Sequence, residues 1–337
     1  MKILIPTLYL TIGGSTRVLL SAAEALRSEH DVVVRGPFAE ADEQTQTPFP
    51  ELSLATWARK LAVAPLAAKL IASEMRELKG RGFEIIYVHD NVSLYVYGMI
   101  AKLLRVSVVR HMHQEGGVFL ERLRAAFAGR AIAISKHSYN PRGTTLIRNP
   151  VRPILPLRAA VPEELVIAGR ICALKNQALG VEALSIMRKQ GLDRRLRLCG
   201  DVQEEGYAAQ LCRRASELGI QGYVSLDGFV RPQDYLASAS CMLMPSLSEN
   251  QPLALLEAIA AEVPVVASDI PAHRELVGLG CLPAAALAPL TAEGFAEAIT
   301  RVQQMQSWEQ YASKINELFS QDGFSAELCA FFRSQSH

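Results

Sequence analysis

The sequence predicts an α/β protein made of two doubly wound parallel-sheet domains, and three observations predict it. Short apolar, β-branched runs alternate with helical patterns, the rhythm of parallel βαβ units. A Pro-rich stretch, Asn149-Pro150-Val151-Arg152-Pro153-Ile154-Leu155-Pro156, interrupts that rhythm and reads as a linker. The same rhythm then restarts. With 337 residues, half of them hydrophobic, the chain can bury two cores of ordinary size.

Taken in order, the first domain spans residues 1–150. Its strands are expected over 2–8, 31–35, 85–89, 107–113 and 131–135, and its helices over 15–28, 56–81 and 91–104. The second domain spans 151–315. Strands are expected there over 165–169, 195–199, 224–227, 241–245 and 263–267, with helices over 176–190, 204–219, 232–238, 252–261 and 272–277. A tail within 316–337 continues one or two helices that start near residue 307 and crosses back onto the first domain. The simplest architecture is two sheets facing one cleft, with ligand at the carboxyl ends of the strands.

Charge is unevenly divided. Residues 1–150 carry 19 Lys/Arg against 13 Asp/Glu, and residues 151–337 carry 16 against 21. A basic first half suits an anionic neighbour, a phosphorylated acceptor or the inner face of a membrane, although chance patterning gives the same count. The mixed basic and apolar stretch 57–70 reads either as a membrane-resting helix or as an ordinary helix over the sheet. No segment reaches the roughly 18 uncharged apolar residues of a membrane span. The six cysteines show no paired CxxC spacing, which fits a reducing, cytoplasmic setting. Gly13-Gly14 lacks the G-x-G-x-x-G spacing of a dinucleotide site. No D-x-D pair marks a metal-held diphosphate, so neither a cofactor nor a metal is expected. No nucleic-acid partner is expected either.

The most informative stretch is Ser246-Leu247-Ser248-Glu249-Asn250-Gln251-Pro252-Leu253-Ala254-Leu255-Leu256-Glu257. It ends an apolar strand, turns, and opens a helix at Pro252, with Asn250 or Gln251 placed to cap it. A helix start offers free N–H groups and partial positive charge, which suits a phosphate. Glu249 before the helix and Glu257 inside it can each accept hydroxyl hydrogen bonds. A sugar nucleotide is the natural guest. Glu257 sits in a helix that is apolar almost all round, where a carboxylate without a partner or ligand is costly. Arg170 and Lys175 follow a strand and can meet phosphate oxygens. His111 and His113 end another strand on one face, with Met112 opposite. His113 reads either as a residue of the reacting centre or as a structural histidine. A zinc site there lacks a third ligand at a useful spacing.

These residues resemble the retaining glycosyltransferases of family four, whose GT-B fold sets two Rossmann-like doubly wound parallel-sheet domains facing a cleft. Val166-Ile167-Ala168-Gly169-Arg170 with Lys175 is similar to the donor-phosphate motif. Leu198-Cys199-Gly200-Asp201 is similar to the glycine turn after the second strand. Gly228-Phe229-Val230 with Tyr235-Leu236-Ala237-Ser238-Ala239 resembles the segment lining the base, and Glu249 and Glu257 match the E-x7-E pair. Ile147-Arg148-Asn149-Pro150-Val151 resembles the strand entering the linker, and Gly13-Gly14 with Arg17 the first-domain glycine loop. The chain departs from the pattern at Asn250-Gln251-Pro252, at Glu262 and at Pro271-Ala272-His273-Arg274-Glu275, all near the hexose in relatives.

The resemblance implies a metal-independent transfer from a nucleotide-diphosphate sugar, expected to be UDP-linked, to a saccharide or lipid-linked saccharide acceptor of a cell-surface polysaccharide. It implies catalytic roles for His113, Arg170, Lys175 and Glu249. Donor contacts fall to Gly14, Gly169, Gly200, Phe229, Val230, Asn250, Gln251, Pro252, Leu253 and Glu257. Acceptor contacts fall to Gly13, Arg17 and His89. A sugar-nucleotide epimerase of the same fold and a catalytically silent partner subunit are the alternatives.

Overall fold

A computed structural model describes residues 1–8, 14–45, 64–113, 124–136, 144–152 and 163–335. The chain divides into two compact units, Met1–Pro150 with Gln321–His337, and Val151–Ser320.

Among the described residues the first unit holds seven strands: β1 (Lys2–Pro6), β2 (Asp31–Gly36), β3 (Glu43–Gln44), β4 (Ile85–Val88), β5 (Ser107–Met112), β6 (Arg130–Ala133) and β7 (Thr144–Leu146). They pair in parallel in the order β3-β2-β1-β4-β5-β6-β7. The order reverses between β1 and β4, and this switch point is where open α/β sheets bind ligands. Helices α1 (Gly14–Leu26), α2 (Ala64–Leu78) and α3 (Asn91–Leu104) connect strands of this sheet. β1 and β4 are buried along almost their whole length, which explains their continuous apolar runs. Asp90 caps α3, its carboxylate accepting from the Ser93 N–H at 2.7 Å. Of the helix expected over 56–81, the stretch 56–63 lies outside the described residues. Pro65 stands in the first turn of α2, where the missing N–H does no harm.

The second unit holds β8 (Glu164–Ala168), β9 (Arg195–Cys199), β10 (Val224–Gly228), β11 (Cys241–Met244), β12 (Val265–Ser268) and β13 (Leu287–Ala288). They run parallel in the order β10-β9-β8-β11-β12-β13, with the switch point between β8 and β11. Helices α4 (Gln177–Lys189), α5 (Glu205–Glu217), α6 (Pro232–Ser238), α7 (Leu253–Ala260), α8 (Pro271–Gly278), α9 (Ala292–Gln303) and α10 (Glu309–Leu318) complete it. The core is continuous from Leu165 through Leu243 and Val265 to Phe295 and Ile299.

The expected boundary at 315/316 falls inside α10. That helix packs on α7, so the second unit runs on to Ser320. The last helix, α11 (Gln321–Arg333), lies on α1. Gln321 Nε2 donates to the Ser21 carbonyl at 3.4 Å, and Arg333 meets Glu29 at 2.5 Å. Phe332, fully buried, packs its edge on Tyr87 with ring centroids 5.1 Å apart. Among the described residues no helix is long and apolar enough to cross a membrane.

Candidate functional site

In the second unit, the segments that follow β8 and β11 are laced together at the switch point. The Leu247 N–H donates to the Leu174 carbonyl at 2.9 Å, and Asn176 Nδ2 donates to the Pro245 carbonyl at 3.3 Å. Lys175 Nζ donates to Glu249 Oε1 at 2.5 Å, with side chains only 18% and 10% exposed. The sequence reading gave Lys175 and Glu249 separate partners, and the structure joins them to each other. Two opposite charges so sheltered lower the cost of burial by pairing. Each keeps capacity for a ligand, since an ammonium has three donors and a carboxylate about four acceptor sites.

Glycines make the floor. Gly169 donates to the Cys199 carbonyl at 2.9 Å and Gly200 to the Gly228 carbonyl at 2.7 Å, tying the carboxyl ends of β8, β9 and β10. A Cβ on Gly200 would lie 2.0 Å from the Gly169 carbonyl oxygen, at a φ of +159°, so only glycine fits. The Lys175 stem passes over Gly169, its Cε 3.6 Å from where a Cβ would stand. Arg170 is exposed, and its carbonyl accepts from the fully buried Gln177 at 2.8 Å.

Pro252 is itself the N-cap of α7, with no side-chain cap bond, and Leu253 is the first helical residue. This corrects the expectation that Pro252 opens the helix under an Asn250 or Gln251 cap. Asn250 and Gln251 are half-buried in the turn before it. Glu257, one turn in, is 4% exposed on the apolar helix, as the sequence reading required. Phe229, 66% exposed, projects just after β10, while Val230 packs partly against the core.

Two residues to which the motifs assign no role, Ser268 and His273, brace this site. Ser268 Oγ donates to the Ser246 carbonyl at 2.6 Å. His273 Nδ1 lies 2.7 Å from the Ser268 carbonyl, which it reaches as an N–H donor. His273 is fully buried, and desolvation holds its imidazole below the ordinary value, hence neutral. The charges of Glu249 and Lys175 act on it in opposite directions, a sign that the brace lies close to the ion pair. The available signal was a lone histidine on the inward face of α8.

In the first unit, Gly14 opens α1 beyond the carboxyl end of β1, and Arg17 lies in its first turn, half-buried. Gly13 lies outside the described residues. Thr7 Oγ1 donates to Asp90 Oδ2 at 3.3 Å and the Leu8 N–H to Ser93 Oγ at 3.1 Å, tying the segments after β1 and β4 at this sheet's switch point. Burial pushes the Asp90 carboxyl up from its ordinary value.

Beside that point, β4 and β5 bring three histidines together. His89 follows β4, His111 lies in β5 and His113 follows it. His89 Nδ1 and His113 Nε2 are 3.1 Å apart, and the Tyr87 hydroxyl is 2.6 Å from His111 Nδ1. Ring centroids lie 4.4 Å apart for His111 and His113 and 4.7 Å for His89 and His111. Burial holds His89 and His111 well below the ordinary imidazole value and pushes His113 down to about 3, with Arg110 adding to that shift. All three are neutral near pH 7. Spacing along the chain offers His111 and His113 no third ligand for a metal. The structure supplies that third imidazole from the neighbouring strand, where spacing along the chain could not reveal it.

Two doubly wound parallel sheets, each with polar residues gathered at its strand-order reversal, define the GT-B class of architecture. Comparison with known proteins agrees. Residues 162–305 match the family Glycosyl transferases group 1. A 77-residue stretch is 36% identical to the putative teichuronic acid biosynthesis glycosyltransferase TuaC of Bacillus subtilis, covering 23% of this chain and 19% of that protein. Over 138 residues the chain is 32% identical to the amylovoran biosynthesis glycosyltransferase AmsK of Erwinia amylovora, covering 36% of this chain and 32% of that protein. The chain thus spans a third or less of either relative. Among solved structures, Anabaena HepE in complex with UDP-glucose superposes with a TM-score of 0.78 at 18% identity, over 99% of this chain and 100% of that one. The sucrose-phosphate synthase of Thermosynechococcus elongatus superposes with 0.73 at 17%, over 99% and 98%. At such identities these likenesses show the fold. The family match falls within the second unit.

Proposed function

We propose that the protein is a glycosyltransferase that moves a sugar from a nucleotide-diphosphate sugar, UDP-linked, to a saccharide or lipid-linked saccharide acceptor, with retention and without a metal. The observation that carries this reading is the Lys175–Glu249 pair at the switch point of the second sheet, above a glycine floor that admits close backbone approach. The relatives TuaC and AmsK are named for polysaccharide biosynthesis, and HepE is seen with UDP-glucose, which supports the donor and acceptor classes.

Transfer builds negative charge on the departing diphosphate. In this reading Arg170 and Lys175 stabilise it, the first as a planar fork and the second as a point charge. Gly169, Gly200 and the start of α7 at Pro252 and Leu253 let the phosphates approach backbone N–H groups. Glu257 accepts the ribose hydroxyls and Phe229 with Val230 the base. Glu249, with Asn250 and Gln251, accepts the hydroxyls of the transferred sugar. His113 serves the reacting centre as a neutral imidazole. Gly14 completes the donor site, and Gly13, Arg17 and His89 serve the acceptor. No carboxylate is assigned as a nucleophile, so the acceptor attacks on the face the diphosphate leaves, and the donor phosphate helps take its proton. The basic first unit rests against the inner face of the membrane in this reading, a cytoplasmic placement.

The test is a panel of nucleotide sugars. The proposal expects UDP and one UDP-sugar to raise the melting point, and labelled sugar to pass to a saccharide acceptor. Conversion of donor in the absence of acceptor points instead to an epimerase. Failure of every nucleotide to bind points to a silent subunit.

A further inference from the structure

We propose that His89, His111 and His113 form a binding site for a divalent transition-metal ion of the zinc class. One nitrogen from each ring lies within 4.8 Å of a nitrogen of both others. His89 Nδ1 and His113 Nε2 stand 3.1 Å apart. Two nitrogens sharing one tetrahedral ion are about 3.4 Å apart, from metal–nitrogen bonds of about 2.1 Å. That pair therefore needs little movement to accept an ion, and His111 closes the rest of the gap.

Two further observations point to a ligand. His89 and His111 are each 2% exposed, and His111 Nε2, the nitrogen left over once Nδ1 meets Tyr87, is buried without a hydrogen-bond partner. An orphaned buried ring nitrogen is costly, and an ion shared with the two neighbouring imidazoles would satisfy it. The rings are also held from outside. The Tyr87 hydroxyl lies 2.6 Å from His111 Nδ1, and the Asn149 side-chain amide lies 3.5 Å from His113 Nδ1, whose N–H its oxygen would accept once the amide is turned over. Outer partners of this kind fix ring orientation at metal sites.

Three imidazoles without carboxylate favour zinc, cobalt, nickel or copper over magnesium or calcium, which take oxygen ligands. Three protein ligands also leave a coordination position for water or a small ligand. On binding, the ion takes one lone pair from each neutral ring, and the proton between His89 and His113 moves to the other nitrogen of the ring that carries it, so each imidazole keeps one N–H. Where His113 serves the transferred sugar, as in the function proposed above, a bound ion competes with that role and slows transfer. The binding itself does not depend on that function.

The experiment titrates the full chain, stripped by chelator, with Co²⁺ followed by absorption spectroscopy, and then displaces it with Zn²⁺. The expected result is one ion per chain in a low-coordinate nitrogen site. The expected loss is about tenfold or more in affinity for His89→Gln and for His111→Asn, and about tenfold for Tyr87→Phe. Each variant is checked by circular dichroism. Should a variant not fold, anomalous scattering from a cobalt-loaded wild-type crystal decides the matter, with the ion expected between the three rings. No binding by wild type, an ion elsewhere, or unchanged affinity in both folded histidine variants overturns the proposal. The readout uses no donor sugar, so its failure is separate from failure of the transferase reading.

Discussion

The two switch points answer one architectural problem with opposite chemistry. In the second unit the reversal between β8 and β11 holds an ion pair, a floor of glycine and an almost fully buried Glu257. In the first, the carboxyl ends of β4 and β5 hold neutral imidazoles backed by Tyr87. A site built to take a diphosphate needs fixed charge and open backbone. A site of neutral rings suits a sugar hydroxyl, a proton or a soft cation. The same fold therefore carries different chemistry at the strand ends of its two units.

The comparison can be broken most forcefully at Gly200. Gly200→Val drives a side chain into the Gly169 carbonyl, and backbone cannot yield as a flexible side chain can. A loss of about 3 kcal/mol or more in denaturant unfolding is expected, together with loss of UDP binding. Glu257→Ala is expected to lower transfer by at least about a hundredfold while the melting point shifts by only a few degrees. Full activity in that variant would remove Glu257 from the site.

Lys175→Met leaves Glu249 sheltered beside an apolar side chain. The expected cost is about 1–3 kcal/mol of stability, with most of it recovered in the Lys175→Met, Glu249→Gln double variant, since replacing both partners is milder than removing one. A double-mutant cycle reads the coupling directly, and strict additivity would contradict the pairing.

Acidity sharpens the comparison further. The folded imidazole of His273 is held below its unfolded value by burial. Its contribution is complete above about pH 6.5, the unfolded value, and is lost as pH falls below it, because only the unfolded chain then takes the proton. The slope is at most about 1.4 kcal/mol per pH unit for one group. Urea unfolding from pH 7 to 5.5 should show a shallower slope in His273→Asn than in wild type. The smallest stability effect is expected at Phe229. At 66% exposure, Phe229→Ala should alter stability by less than about 0.5 kcal/mol, yet weaken UDP binding if the ring serves the base.

Much of this protein is written locally. The β-branched runs of β1, β4, β8 and β11 are buried on both faces, so each announces itself as an uninterrupted apolar segment. The Asp90 cap, Gly200 and the carboxylate Glu257 in an apolar helix could likewise be read from neighbours in the chain, because each obeys a rule spanning a few residues. The short edge strands β3, β7 and β13 carried no such signal. Two or three residues have too little periodicity to register.

Sequence alone determined the doubly wound class, the two-domain plan and the placement of Glu249, Glu257, Arg170 and Lys175 around strand ends, since these follow from local pattern and spacing. Tertiary structure alone decided that Lys175 grips Glu249, that Ser268 and His273 brace their loop, and that His89 joins His111 and His113. Apart from the His273 contact, which reaches back five residues to Ser268, these join segments more than 20 residues apart along the chain, and only the packing of the sheet brings them within reach.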